Sequence, residues 1–349
     1  MSIIRLPAEW EPQDAIQIAF PSRTSDWINY WDEVVLCYIN IIKNIAQYQP
    51  LIIICDDEAD LNFYLQDADR KNIYVLELPI NDTWARDHAA ITVENGNGFL
   101  IYDFVFNGWG LKFAADKDNL ITGELWNAGL YNALSLIHPG LVLEGGSIES
   151  DGKGTLLTTT NCMLSPNRNP HLSKEEIEQK LCELFNLQKI LWLTNGHLLG
   201  DDTDAHIDTV ARFCDEKTIA YVQCTDADDI HYLDLKNMEE ELKLFVDING
   251  NPYCLVPLPM AAAVYAPDDN RRLPATYANF LILNDVVLLP TYHNEKVDNL
   301  AIAQLQIAFP TKKVIGIDCS ALLLQHGSLH CITMQYPKGS INFNKLNNE

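Results

Sequence analysis

The feature that most constrains this chain is a repeated order of elements: two short β-rich runs, a helical segment, then a buried strand. AAITV and FLIYDF flank ENGNG, and GGSIES and TLLTTT flank DGKG. HIDTVARF and TIAYVQ flank CDEK, while YANFLIL and VVLLPTY flank an Asn-Asp step. Such pairs of apolar runs around turn residues are hairpin signals. They return at intervals of about 55 to 70 residues, the mark of repeated architecture. Apolar residues at three- and four-residue spacing then predict helices in INYWDEVVLCYINIIKNIAQ, KEEIEQKLCELF, LKNMEEELKLFV and NEKVDNLAIAQLQIAF. Buried strands follow in LIIICD, ILWLTN, YCLVPLP and KVIGIDC.

Four hairpins are complete within the chain. IQIAFP near the start and HCITMQYP near the end supply the halves of a fifth, completed where the two ends meet. Closing a ring in this way leaves no long sheet edge bare. The expected fold is α/β: a five-bladed α/β propeller of ββαβ-like units with pseudo-fivefold symmetry, one catalytic domain over residues 1–349. A doubly wound sheet would show a βαβ rhythm without hairpins, and no G-x-G-x-x-G phosphate loop is present.

In such a ring, side chains at the start of each hairpin converge on the axis. Asp87 precedes the second hairpin, Glu144 opens the third, His206 and Asp208 open the fourth, and Asn279 belongs to the fifth. Cys331 stands at the start of the last strand. Strand alternation is expected to send His206 and Asp208 to one side. Each has a bland alternative: a satisfied structural histidine, an Arg86–Asp87 ion pair, a turn-capping Glu144 before Gly145-Gly146, a solvated acidic loop at Asp201, Asp202 and Asp204. A thiol, an imidazole, three carboxylates and an amide at equivalent places outweigh those alternatives together.

Charge narrows the partners. With 48 acidic against 24 basic residues, the formal charge is -24. That field repels phosphate backbones and anionic lipid, so nucleic acid and membranes are not expected partners, and cationic ligands are favoured. Nine scattered cysteines without a C-x-x-C pair suit reduced thiols in a cytoplasm. The first residues lack a basic and apolar leader. Neither His206-x-Asp208 nor His326-x-x-x-His330 matches a structural zinc pattern, so no metal is expected.

At these residues the chain resembles the agmatine deiminase family, within the guanidino-group-modifying enzymes and the Porphyromonas-type peptidyl-arginine deiminase superfamily. The matching segments are NDTWARD, FNGWG, LEGGSIESDGKGTLLTT, GDDTDAHIDTVARF, YANFLILN and HGSLHCITMQYP. The resemblance implies Cys331 as nucleophile and His206 as general acid/base, with Glu144 beside the histidine. It implies Asp87 and Asp208 on the guanidinium and Asn279 in the same pocket. Two segments depart from the family pattern: His88-Ala89-Ala90 after Asp87, and Gln325 to His330 where a glycine run is usual.

The implied reaction converts agmatine to N-carbamoylputrescine and ammonia through an amidino-cysteine, in the service of putrescine and polyamine metabolism and without a cofactor. Trp84 and Trp109 are candidates to line the substrate's aliphatic or cationic stretch. Deimination of free or peptidyl arginine is the alternative, for which Arg271-Arg272 would have to meet a carboxylate. The implied partner is a small cationic guanidino compound; a homodimer is compatible with the sequence, which is otherwise silent on assembly.

Overall fold

A computed structural model describes residues 4–65 and 72–346; both extreme ends of the expected 1–349 domain lie outside these residues. Its strands run in chain order as β1 (Gln13–Ala19), β2 (Leu51–Cys55), β3 (Ile73–Glu77), β4 (Ile91–Glu94), β5 (Phe99–Tyr102) and β6 (Ser135–Ile137). They continue as β7 (Ile148–Ser150), β8 (Thr155–Thr159), β9 (Lys189–Leu193), β10 (Ala211–Asp215), β11 (Thr218–Gln223) and β12 (Cys254–Pro259). The last are β13 (Val264–Tyr265), β14 (Arg272–Leu273), β15 (Leu281–Ile282), β16 (Val286–Thr291), β17 (Lys313–Asp318) and β18 (Thr333–Pro337).

Five separate mixed sheets result. In β4-β5-β6, β7-β8-β9, β10-β11-β12 and β15-β16-β17 an antiparallel pair is followed by a parallel third strand. The fifth is made by the two ends of the chain: β18 pairs antiparallel with β1, with Ile16 opposite Gln335, and β2 then adds in parallel. The expected meeting of the termini is therefore observed. Among the described residues each sheet stays open, and β3 extends the first sheet beyond the repeated unit. The β13–β14 ribbon is a further addition.

Parallel pairing needs a crossover, and a helix supplies it in each unit: α1 (Trp31–Tyr48), α2 (Asp118–Asn127), α3 (Lys174–Phe185), α4 (Tyr232–Leu244) and α5 (Glu295–Ala308). α1 buries Val34, Val35, Tyr38, Ile41, Ile42 and Ile45, the one-face spacing that packs a helix on a sheet. α3 begins with a Ser173–Glu176 capping box and ends at Asn186 in the left-handed region. α2 and β6 are the crossover the sequence pattern did not announce: α2 contains Gly123 and buries only Ile121 and Leu125 among its large apolar residues. The tight β7–β8 turn uses Gly152 and Gly154 at positive φ, while the Asp151 carboxylate accepts from the Lys153 and Thr155 amides.

Two local expectations need correction. The fourth hairpin does not start at His206; residues Ile207–Thr209 form a 3-10 turn and the strand begins at Ala211. Likewise Cys331 lies in the turn before β18, which starts at Thr333. These candidate groups sit on the turns that lead into the strands, where backbone can splay toward a shared centre.

Hydrogen bonds stitch these turns into a closed circuit. The Gly146 amide donates to Asp87 Oδ1 (3.0 Å), and Thr159 Oγ1 donates to the Ala205 carbonyl (2.6 Å). Asn279 Nδ2 donates to the Asp208 carbonyl (3.3 Å), and the Cys331 amide donates to Asn279 Oδ1 (3.2 Å). The Arg86 amide returns to the Cys331 carbonyl (3.1 Å). Each link joins one unit to the next.

Candidate active site

Cys331, Asp87, Trp84 and Trp109 line one pocket, with Asp82, Asp201, Asp202, Phe113 and His326 among its other walls. His206, Asp208, Glu144 and Asn279 stand behind it, all fully buried. The eight residues singled out from sequence are thus brought to one place.

The Cys331 thiol lies 3.3 Å from Asn279 Oδ1 and 4.0 Å from Asp208 Oδ2. Asn279 Oδ1 also accepts the amides of His330 and Cys331, so the asparagine fixes the turn that carries the nucleophile. Burial, then the carboxylates of Asp208 and Asp87, pushes the Cys331 thiol well above its ordinary value. The resting group is a thiol.

Burial likewise dominates at Asp87, raising it to about 6 against the pull of His206 and of the Trp109 indole. Trp109 Nε1 donates to Asp87 Oδ2 at 2.8 Å, and His206 Nδ1 lies 3.6 Å from Oδ1. Trp109 reaches this position from a backbone with φ of 55°, inside a run of left-handed residues that includes Gly108, Gly110 and Leu111. A tryptophan held there costs conformational energy, which is characteristic of positions kept for a site. Trp84 packs on Trp27 at 5.9 Å, and any Cβ at Gly327 would meet its ring at 2.1 Å.

At His206 burial works to lower the pKa, but Asp87, Cys162 and Glu144 outweigh it and hold the imidazole well above its ordinary value. Its Nε2 is buried without a hydrogen-bond partner among the described residues. At Asp208 burial is outweighed by the hydrogen bond from His330, with His330, His206 and Arg212 also lowering it below the usual carboxylate range.

Glu144 is closer to a structural anchor than the sequence suggested. Its two oxygens each accept from Arg168 Nε at 2.9 Å, and Arg168 also contacts Asp204 and the Thr203 carbonyl. Glu144, Cys162 and His206 still present their polar atoms within 4.8 Å of one another. This group, and a second of Glu9, Glu149 and His330, contain metal-ligand types. Arginines already neutralise their carboxylates, Arg168 in the first and Arg212 in the second, so an added cation would meet a guanidinium.

Sequence reasoning passed over Arg168, Cys162, Glu9, Arg212 and the function of His330. Only His330 carried a signal, as the neighbour of the nucleophile. The Arg271-Arg272 pair is engaged elsewhere: Arg271 pairs with Asp268 and Asp269, Arg272 with Asp229. Asp204 is not a free acid either, since Lys112 and Arg168 bind it. Among the described residues no helix is long and apolar enough to cross a membrane.

Known proteins resemble this chain over nearly its whole length. A family model described as Porphyromonas-type peptidyl-arginine deiminase matches residues 5–337. A Marinomonas sp. protein, provisionally named an agmatine deiminase, is 36% identical over 96% of this chain and 94% of its own. A solved structure from Porphyromonas gingivalis, provisionally named an arginine deiminase, is 48% identical with a TM-score of 0.92, covering 97% of this chain and 100% of that one. The C. jejuni agmatine deiminase, a cysteine-to-serine variant with substrate bound, is 38% identical with a TM-score of 0.88 and 97% coverage of both chains.

Proposed function

The chain belongs to the Porphyromonas-type peptidyl-arginine deiminase family, and on that footing we propose that it hydrolyses agmatine to N-carbamoylputrescine and ammonia through a covalent adduct on Cys331. The observation that carries this reading is the chemistry of the pocket wall. Asp82, Asp87, Asp201 and Asp202 line it with Trp84, Trp109 and Phe113, and no lysine or arginine stands among the described residues there. Agmatine is cationic at both ends. Arginine would bring a carboxylate into that acidic mouth where the one basic side chain among the described residues, His326, is already engaged by the Gly200 carbonyl and Asp202, which is costly in a partly desolvated site.

The mechanism follows from the groups. Asp87 and Asp208 accept the guanidinium N–H donors and hold the planar group still, which lowers the entropy cost of attack. The arriving cation offsets the two carboxylates that suppress ionisation of Cys331, so with substrate in place the thiol releases its proton to solvent and the thiolate forms. Sulfur attacks the guanidinium carbon; His206, charged at neutral pH, protonates the departing nitrogen and ammonia leaves. Water then adds to the amidino-thioether, giving its proton to His206, and the thiolate is expelled as the ureido product forms. Glu144, fixed by Arg168, supports the charged imidazole.

The same reading includes a single five-bladed α/β propeller. The five repeated units and the hydrogen-bonded circuit between their turns support it. Purified protein is to be offered agmatine, arginine and a blocked arginine peptide, with ammonia and ureido product measured. A kcat/KM for agmatine that exceeds the other two is expected. Preference for arginine or the peptide would replace agmatine as substrate and leave the cysteine chemistry standing.

A further inference from the structure

A row of buried groups behind the pocket has no part in the reaction steps above. His330 Nδ1 lies 2.7 Å from Asp208 Oδ2, and its Nε2 lies 2.7 Å from Glu9 Oε2. Glu9 comes from the segment before β1, and is held by the Ile282 amide (3.0 Å) and by Arg212 Nη2 (2.5 Å). The His330 backbone amide is tied to Asn279 Oδ1 at 2.8 Å. Asp208 and His330 are 0% and 1% exposed, so solvent does not compete for these contacts.

Each ring nitrogen thus meets a different buried carboxyl oxygen, and one imidazole bridges the two acids. Charge-assisted bonds of this length hold their partners in one orientation. The consequence falls on Asp208. Its Oδ2 is taken by His330 and faces the Cys331 sulfur at 4.0 Å, while its Oδ1 is buried with no partner among the described residues. An unpaired buried acceptor on a residue that also faces the nucleophile is open to a donor.

We propose that His330 is a positioning residue: anchored on Glu9, it turns Asp208 so that Oδ1 is the oxygen offered to the substrate's guanidinium. This rests on the reading of Asp208 as a guanidinium ligand.

The two ring nitrogens can be separated by substitution. In His330→Asn the amide nitrogen stands two bonds from Cβ, as Nδ1 does; in His330→Gln it stands three bonds away, as Nε2 does. Asn therefore keeps a donor for Asp208, whereas Gln keeps one only for Glu9. With both variants folded by circular dichroism, His330→Asn is expected to keep kcat/KM for agmatine within about tenfold of wild type. His330→Gln is expected to lose about 100-fold, the scale for a misplaced catalytic contact, with KM raised as well as kcat lowered. Equal losses in the two variants, or none in either, would overturn the proposal, since a space-filling role does not distinguish the nitrogens. If His330→Gln fails to fold, His330→Asn alone decides: a loss beyond about tenfold refutes the assignment.

Alkylation of Cys331 by a haloacetamidine uses the same amidinium grip whatever the natural substrate. The same ranking of labelling rates is expected even if wild-type protein turns over no agmatine. Failure of the functional reading and failure of this one are thus told apart.

Discussion

Substituting Gly146 by alanine should damage catalysis out of proportion to stability. Gly146 does not have a left-handed φ, so alanine itself is unstrained there and only space matters. A Cβ at this position would stand 2.6 Å from His206 Nδ1, 2.9 Å from Asp87 Oδ1 and 3.1 Å from Asp208 Oδ2. Reaching an ordinary contact of 3.4 Å from 2.6 Å asks for a displacement of 0.8 Å at the imidazole. A misplacement near 1 Å costs about 100-fold in rate, equivalent to about 2.7 kcal/mol of transition-state stabilisation. The stability cost of one added methyl is about 1–3 kcal/mol, borne by three side chains that can each give a little. Gly145→Ala is the contrast: its Cβ would meet the Arg86 carbonyl oxygen at 2.2 Å, backbone that cannot step aside, so stability should suffer first. Steady-state ammonia release and thermal melts on both variants make the comparison. Gly146→Ala with kcat/KM within twofold of wild type would refute the placement of His206, Asp87 and Asp208 around one reacting centre.

Four further outcomes are expected. Cys331→Ser should abolish turnover while still binding agmatine, measured by calorimetry; retained ammonia release would sink the covalent mechanism. Arg168→Gln should lower stability by about 3–5 kcal/mol, because it strands the buried Glu144 carboxylate, and denaturant melts read that loss. Since burial raises Asp87 to about 6, the free enzyme should lose kcat/KM as pH falls through about 6, where the carboxylate takes up a proton and releases the guanidinium. A flat profile down to pH 5 would contradict this. Asp118, raised chiefly by burial to about 7, contributes stability present below its unfolded value near 3.8 and lost as pH rises through about 7. Asp118→Asn should therefore raise the melting temperature at pH 8, by up to about 4 kcal/mol in stability, and lose that advantage toward pH 4. An equal gap at both pH values would dismiss the linkage.

Much of the architecture was legible because repetition amplifies weak signals. One hairpin pattern is ambiguous, but four at regular spacing, with half a hairpin at each end, required the termini to pair, and β18 does pair with β1. The α2–β6 crossover escaped notice because its apolar periodicity is thin. The 3-10 turn at Ile207–Thr209 escaped because short turns and strand starts share composition. At the site, Cys331, His206, Asp87 and Asp208 could be picked out by type and equivalent position. Arg168, Arg212 and Glu9 could not, since a buried ion pair leaves no local pattern: Glu9 and Arg212 are 203 residues apart.

The amino-acid order by itself determined the unit, its number, and which thiol and imidazole open the turns facing one another. It did so because hydrogen-bond period and apolar alternation are local properties of the chain. Only the tertiary structure decided how each group is charged and aimed. Burial, with Asp208 and Asp87, raises the Cys331 thiol, and at His206 Asp87 with its neighbours raises the imidazole against the effect of burial. One oxygen of Asp208 is occupied by His330. Desolvation and short-range charge pairing depend on distances between residues remote in sequence, and those distances exist only once the chain has folded.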